Sequence, residues 1–235
     1  MPDFIIIGAV RCGTTSLYYN ICEHPCILPA AFDELGFFDT NFHLGNSWYK
    51  SMFPTIIQKK YVEYKKRNCI TGEDTPFYIW NKMAAKRILK LLPNIKLIVQ
   101  LRNPIDRAYS NYHVGVKYGN EKLSFEKAIE WELKKIAQEQ ISEKENEIAK
   151  FNHPRSYLAK SLYAEQIKIW FELFPKENIL ITSTEEMLDN PVIAVNKIFQ
   201  FLNVSKYDLK NPQKRKIESY PKIEPKTRKI LSEFF

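Results

Sequence analysis

The chain has 235 residues, 45% of them hydrophobic and 26% charged, with four cysteines and a formal net charge of +8. That length sustains one well-buried core and demands no second domain, so one α/β domain over residues 1–235 is expected. No run approaches the ~20 apolar residues of a membrane span, and the chain enters a strand without a basic, apolar leader, so no transmembrane segment and a cytoplasmic location are expected.

Cys12, Cys22, Cys26 and Cys69 show no paired zinc spacing, which favours reduced thiols and no metal site. The positive balance favours anionic ligands, with local concentrations at Lys59-Lys60, Lys65-Lys66-Arg67 and Lys214-Arg215-Lys216. Lysine is abundant throughout, so solvated faces account for most of that charge, and nucleic acid is not expected as a partner.

The first element is an apolar, β-branched run, Phe4-Ile5-Ile6-Ile7, which reads as a buried parallel strand. It breaks at Gly8 into Ala9-Val10-Arg11-Cys12-Gly13-Thr14-Thr15-Ser16, and a helical pattern follows from Leu17. Strand, glycine-bounded loop and helix start make an anion cradle, because loop N–H groups and the helix dipole converge on one point. The spacing from Gly8 to Gly13 is that of a nucleoside-triphosphatase loop, but Thr14 stands where that loop needs its Lys. The cation sits two residues before Gly13 instead, as Arg11. In this order the run Arg11 to Leu17 resembles the 5′-phosphosulfate loop of sulfotransferases that use 3′-phosphoadenosine 5′-phosphosulfate (PAPS), with Arg where Lys is usual. The resemblance implies that Arg11, Cys12, Gly13, Thr14, Thr15 and Ser16 bind the donor, and that Arg11 also stabilises charge on the departing phosphate oxygen.

The segment Leu28 to Asp39 is punctuated by proline and glycine and carries Phe32, Phe37 and Phe38, so it reads as a loop with a short strand. A carboxylate beside two phenylalanines is a place where desolvation makes an acid a usable base. In the similar heparan sulfate sulfotransferases a Glu three residues before a Phe-Phe-Asp-like stretch is the proposed catalytic base, and Glu34 falls on it. His43, in the Asn41 to Tyr49 segment before Phe53-Pro54, reads as a substrate contact, as a second proton carrier, or as an ordinary surface or packed histidine. Residues Ile56 to Arg67 are helical in spacing, and Cys69 to Gly72 is a short strand ending in Glu73-Asp74-Thr75-Pro76. Relatives commonly carry Lys where Asp74 stands, so this acid departs from the pattern; Glu73 and Asp74 are reserve candidates for the base.

A helix carrying Met83, Ala84, Ile88, Leu91 and Leu92 leads into Ile95 to Leu101, a second buried-strand signal. It ends at Arg102-Asn103-Pro104, followed by a helix from Asp106 to about Val116. Arg at the carboxyl end of a parallel strand and Ser110 one or two turns on can reach a ligand across a sheet edge. The resemblance makes Arg102 and Ser110 the 3′-phosphate site, while helix capping by Arg102 and Asp106 is the bland alternative.

Ser124 to Ile148 reads as a long, solvent-facing helix or helix pair rich in Glu and Lys, broken by His153-Pro154. Tyr157 to Phe174 reads as an amphipathic helix, Ile179 to Ile181 as a strand, and Asp189-Asn190-Pro191 as the opening of a last clear helix. Lys214 to Lys216 lie where relatives place a basic Gly-Arg loop over the 3′-phosphate, without the Gly-Arg pair. Relatives also continue past Phe235 with another helix, so the resemblance implies a shortened C-terminal end.

These readings converge on an α/β fold with a central parallel sheet flanked by helices and a P-loop-like nucleotide site. The function they imply is transfer of a sulfuryl group from PAPS, with no metal, to a hydroxyl or amine acceptor such as a glycan, with Glu34 and Arg11 catalytic. Two alternatives stay open: a P-loop nucleotide kinase, which would need the missing Lys, and a non-catalytic binder of 3′,5′-bisphosphoadenosine.

Overall fold

The computed structural model describes residues 1–66, 68–139, 155–212 and 220–235. They fall into two compact units, Met1–Leu101 with Ile167–Lys216, and Arg102–Gln166 with Ile217–Phe235.

The first unit is built on a parallel five-stranded sheet in the order β2-β3-β1-β4-β5. Its strands are β1 (Phe4–Gly8), β2 (Ile27–Leu28), β3 (Ile70–Asp74), β4 (Lys96–Leu101) and β5 (Ile179–Ser183). Every residue of β1 is buried, as the unbroken Phe-Ile-Ile-Ile run requires of a central strand covered on both faces. On one face Phe4 and Ile6 pack with Leu17, Tyr18 and Ile21 of α1 (Thr14–Cys22) and with Val195, Ile198 and Phe199 of α9 (Pro191–Phe201). Asn190 caps α9, its side-chain oxygen accepting from Ile193 N at 3.1 Å, so the Asn-Pro pair opens this helix as expected. Close approach between β1 and β3 requires Gly72: a Cβ there would lie 2.4 Å from the Phe4 ring.

The helices expected from Ile56, Met83 and Tyr157 appear with adjusted ends as α3 (Ile56–Lys66), α4 (Lys82–Leu91) and α7 (Tyr163–Leu173), while α2 (Gly45–Ser51) and α8 (Thr184–Asp189) are additions to the sequence expectation. Trp170 of α7 is fully buried and its Nε1 donates to the Ile79 carbonyl at 2.8 Å. The strand expected to end at Gly72 continues through Glu73 and Asp74, because Ile5 and Ile6 of β1 pair with those two residues.

The second unit holds α5 (Pro104–Lys117), α6 (Phe125–Glu139) and α10 (Pro225–Phe234), with a core of Ile105, Ala108, Phe125, Ile129, Tyr157, Leu158 and Leu231. The amphipathic helix expected from Tyr157 starts only at Tyr163. The buried carboxylate of Glu132 accepts the N–H groups of Tyr157, Leu158 and Ala159 at 2.8–3.0 Å and holds them in a turn. Of the expected helix over 124–148, residues 140–148 lie outside the described residues, as do His153-Pro154 and Lys214 to Lys216.

Candidate active site

The loop after β1 is held by its own backbone and by the strand beside it. Ala9 N donates to the Gln100 carbonyl at 2.8 Å, Cys12 N to the Ala9 carbonyl at 3.1 Å, and Gln100 Nε2 to the Cys12 carbonyl at 2.6 Å. The Thr184 hydroxyl lies 2.7 Å from that same Cys12 oxygen and 2.9 Å from the Leu101 carbonyl, so its single proton serves one at a time. Gly13 then turns the chain into α1 with φ +80°, a left-handed conformation that glycine adopts without cost, in a spot where a Cβ would press on Gln100 Nε2 at 3.3 Å.

Gly13 is the N-cap of α1 and contributes no side-chain acceptor, and the first turn contains no acid. The orphan N–H groups of that turn and the positive end of the helix dipole are thus left for an anion. Thr14 and Thr15 are buried there, and the buried Ser16 hydroxyl has no hydrogen-bond partner among the described residues. An uncapped helix start with three hydroxyl residues and Arg11 in the same loop fits the 5′-phosphate end of PAPS. Arg11, at φ 69°, and Glu34, at φ 54°, are two of the three non-glycine residues with positive φ among the described residues. Such backbone is uncommon outside glycine and tends to gather at functional sites.

The acids near β3 divide sharply. Glu73 is fully buried, with the Tyr49 hydroxyl donating to Oε1 at 2.5 Å and the Thr75 hydroxyl to Oε2 at 2.9 Å. Burial pushes its carboxyl up to about 7, against the pull of those two hydrogen bonds. Among the described residues neither carboxylate oxygen of Asp74, 1% exposed, has a hydrogen-bond partner. Burial first, then the charges of Asp33 and Glu34, push it up to about 7. Glu34 itself is exposed. The two phenylalanines expected to desolvate it are core residues: Phe37 stacks on Tyr49 at 4.3 Å and Phe38 meets the same ring edge-on at 5.1 Å. The apolar surroundings read from the sequence therefore belong to Glu73, whose carboxylate Tyr49 holds from within that cluster. His43 is exposed, its Nδ1 lying 3.2 Å from the Thr40 carbonyl.

In the second unit, Arg102 opens the segment that leads into α5. Its carbonyl accepts from the Tyr163 hydroxyl at 3.1 Å, while its guanidinium makes no hydrogen bond or ion pair among the described residues. The helix is capped by Asn103, whose side-chain oxygen accepts from Ile105 N at 3.1 Å and Asp106 N at 3.3 Å; Asp106 pairs instead with Arg228 at 2.6 Å. Capping is thus not the work of Arg102. Ser110 is buried on α5.

Sequence reasoning passed over Gln100 and Thr184. Gln100 carried a legible signal, being the one polar residue inside the buried stretch Leu97 to Leu101. Thr184 carried none, since it reaches the loop only through the pairing of β4 with β5.

The sulfotransferase domain family matches residues 1–229. The membrane-associated sulfotransferase kil1 of Dictyostelium discoideum is 26% identical, over all of this chain and 63% of its own length. The bifunctional heparan sulfate N-deacetylase/N-sulfotransferase 3 of Mus musculus is 29% identical over 87% of this chain and 22% of its own length. This chain therefore spans less than two thirds of these relatives. Among solved structures, a sulfotransferase from Alicyclobacillus acidocaldarius superposes with a TM-score of 0.73 at 28% identity, covering 100% of this chain and 91% of that one. With the match running through nearly its whole length, the chain belongs to the sulfotransferase family.

Proposed function

We propose that the chain moves a sulfuryl group from PAPS to a hydroxyl or amine acceptor, with a glycan as the first acceptor class to try. The observation that carries this reading is the uncapped, hydroxyl-lined start of α1, with Arg11 in place of the phosphate-gripping Lys of a kinase loop. PAPS, when bound, supplies an activated sulfuryl group. The loop N–H groups with Thr14, Thr15 and Ser16 hold its 5′-phosphate, and Arg11 balances charge on the oxygen left behind. Arg102 and Ser110 take the 3′-phosphate, an assignment supported by the resemblance of the Arg102 to Ser110 segment and by the unengaged guanidinium. Glu34, exposed and held by its backbone, takes the acceptor's proton.

Within the same proposal the chain acts as one sulfotransferase domain, uses no metal, and works in the cytoplasm. The test is sulfate transfer from labelled PAPS to heparan-type glycans and to fractionated metabolites, with and without a chelator. Labelled product in the presence of chelator supports the reading. Magnesium-dependent ATP hydrolysis would move it to a kinase, and tight binding of 3′,5′-bisphosphoadenosine with no product on any acceptor to a non-catalytic binder.

A further inference from the structure

Helix α3 buries little of its apolar content. Ile56 is 74% exposed, Ile57 81%, Tyr61 61% and Tyr64 90%. Ile57, Tyr61 and Tyr64 stand at i, i+4 and i+7, so they form one stripe along the helix, with Ile56 beside its start. Exposed Lys60 and Lys65 flank that stripe, and Lys65 Nζ lies 4.4 Å from the centre of the Tyr61 ring. The helix carries four lysines, Lys59, Lys60, Lys65 and Lys66, against one acid, Glu63. Single exposed apolar residues are ordinary, but four on three turns of a basic helix are a surface with a use.

The way α3 is anchored fixes where this surface points. Lys59 pairs with Asp3 at 3.1 Å, and Asp3 also accepts from Thr71 N at 2.9 Å. Both contacts are at the strand-entry end of β1 and β3, whereas the anion loop and Glu34 lie at the exit end, beyond Gly8 and beside Asp74. A partner seated on α3 therefore leaves the loop uncovered.

We propose that α3 docks the chain on an anionic lipid surface, with Ile56, Ile57, Tyr61 and Tyr64 entering the headgroup boundary and the lysines meeting lipid phosphate. An interfacial helix needs an apolar face, a cationic border and no span of the bilayer, and α3 has each of these. No helix among the described residues is long and apolar enough to cross a membrane. A second copy of the chain is disfavoured because it would bring two lysine-rich helices together. Nucleic acid would satisfy the lysines but gives no return for burying Ile56 and Ile57.

The test is co-sedimentation of the full chain with vesicles of phosphatidylcholine alone and of phosphatidylcholine mixed with phosphatidylglycerol. The wild type is expected to bind the mixed vesicles selectively and to release as salt rises. Lys60→Gln with Lys65→Gln should weaken that binding by about thirtyfold, as two lost surface cations imply. Ile57→Ser with Tyr64→Ser should weaken it at every salt concentration. Both pairs are exposed, so melting temperature and binding of 3′,5′-bisphosphoadenosine should stay at wild-type values, which separates docking from folding and from the donor site. Equal binding to neutral vesicles, no binding, or full binding by either double variant would overturn the proposal. So would a dimer, or an RNA complex, that these same variants dissolve.

Discussion

The backbone N–H of Glu34 donates to the carbonyl oxygen of Asp74 at 3.0 Å, tying together at the main chain two acids whose side chains have opposite surroundings. Asp74 is enclosed and its carboxylate has no hydrogen-bond partner among the described residues, while Glu34 faces solvent from a left-handed turn. An exposed acid held this way can meet an incoming acceptor; a buried one first has to be reached.

That contrast predicts different outcomes for the two amide variants. Glu34→Gln keeps shape but cannot take a proton, so turnover should fall ~10²–10⁴-fold while donor binding and melting temperature stay put. Sulfate-transfer rates with saturating donor check it. A loss below about threefold, the range of ordinary surface substitutions, would shift the base assignment to Glu73 or Asp74.

Asp74 should announce itself in the pH dependence of stability. Its carboxyl is raised from the ordinary 3.8 to about 7 by burial and the neighbouring acids, so the folded chain keeps a proton that the unfolded chain has lost. Such a group favours folding most below the ordinary carboxylate value, and stability falls as pH rises toward about 7. Glu73, raised from 4.5 to about 7, adds to the same fall. Asp74→Asn has no proton to lose, so melting temperature plotted against pH between 5 and 8 should be flatter than in the wild type. An unchanged slope would mean that Asp74 is ionised and solvated.

The nucleotide preference tests Arg102. If Arg102 pairs with a 3′-phosphate as proposed, 3′,5′-bisphosphoadenosine should bind better than AMP, since a charged hydrogen bond is worth ~1.5–3 kcal/mol, or roughly ten- to a hundredfold. Arg102→Ala should abolish the difference and leave AMP affinity nearly intact. Equal affinities in the wild-type chain, measured by calorimetry, would remove the assignment.

Much of this arrangement was legible beforehand because it rests on local pattern. The buried runs at Phe4 and Ile95, the Gly8-to-Gly13 spacing and the Asn-Pro helix openings all declare themselves within a few residues. What escaped depends on distant partners. Tyr157 to Leu162 has helical periodicity, yet the Glu132 carboxylate, 25 residues earlier, captures three of its N–H groups and delays the helix. Phe37 and Phe38 stand next to Glu34 in sequence but turn into the core around Tyr49, which no spacing rule reveals.

Packing between β1 and β3 should tolerate no methyl group at Gly72. Its Cβ would sit 2.4 Å from the ring of fully buried Phe4, and overpacking of this kind costs ~1–3 kcal/mol. Gly72→Ala should lower the melting temperature, and adding Phe4→Leu should restore part of the loss. A silent Gly72→Ala would show that the two strands can part.

The double hold on the Cys12 carbonyl, by Gln100 from β4 and Thr184 beyond β5, bears on how a nucleotide arrives and leaves. A loop already braced from β4 and from the start of α8 has little ordering entropy left to lose, so association should run in a single phase, proportional to nucleotide concentration, without a slow rearrangement behind it. The bracing then governs residence time: Thr184→Val, which deletes one brace and keeps the shape, should quicken release in stopped-flow measurements while leaving the rate of capture unchanged.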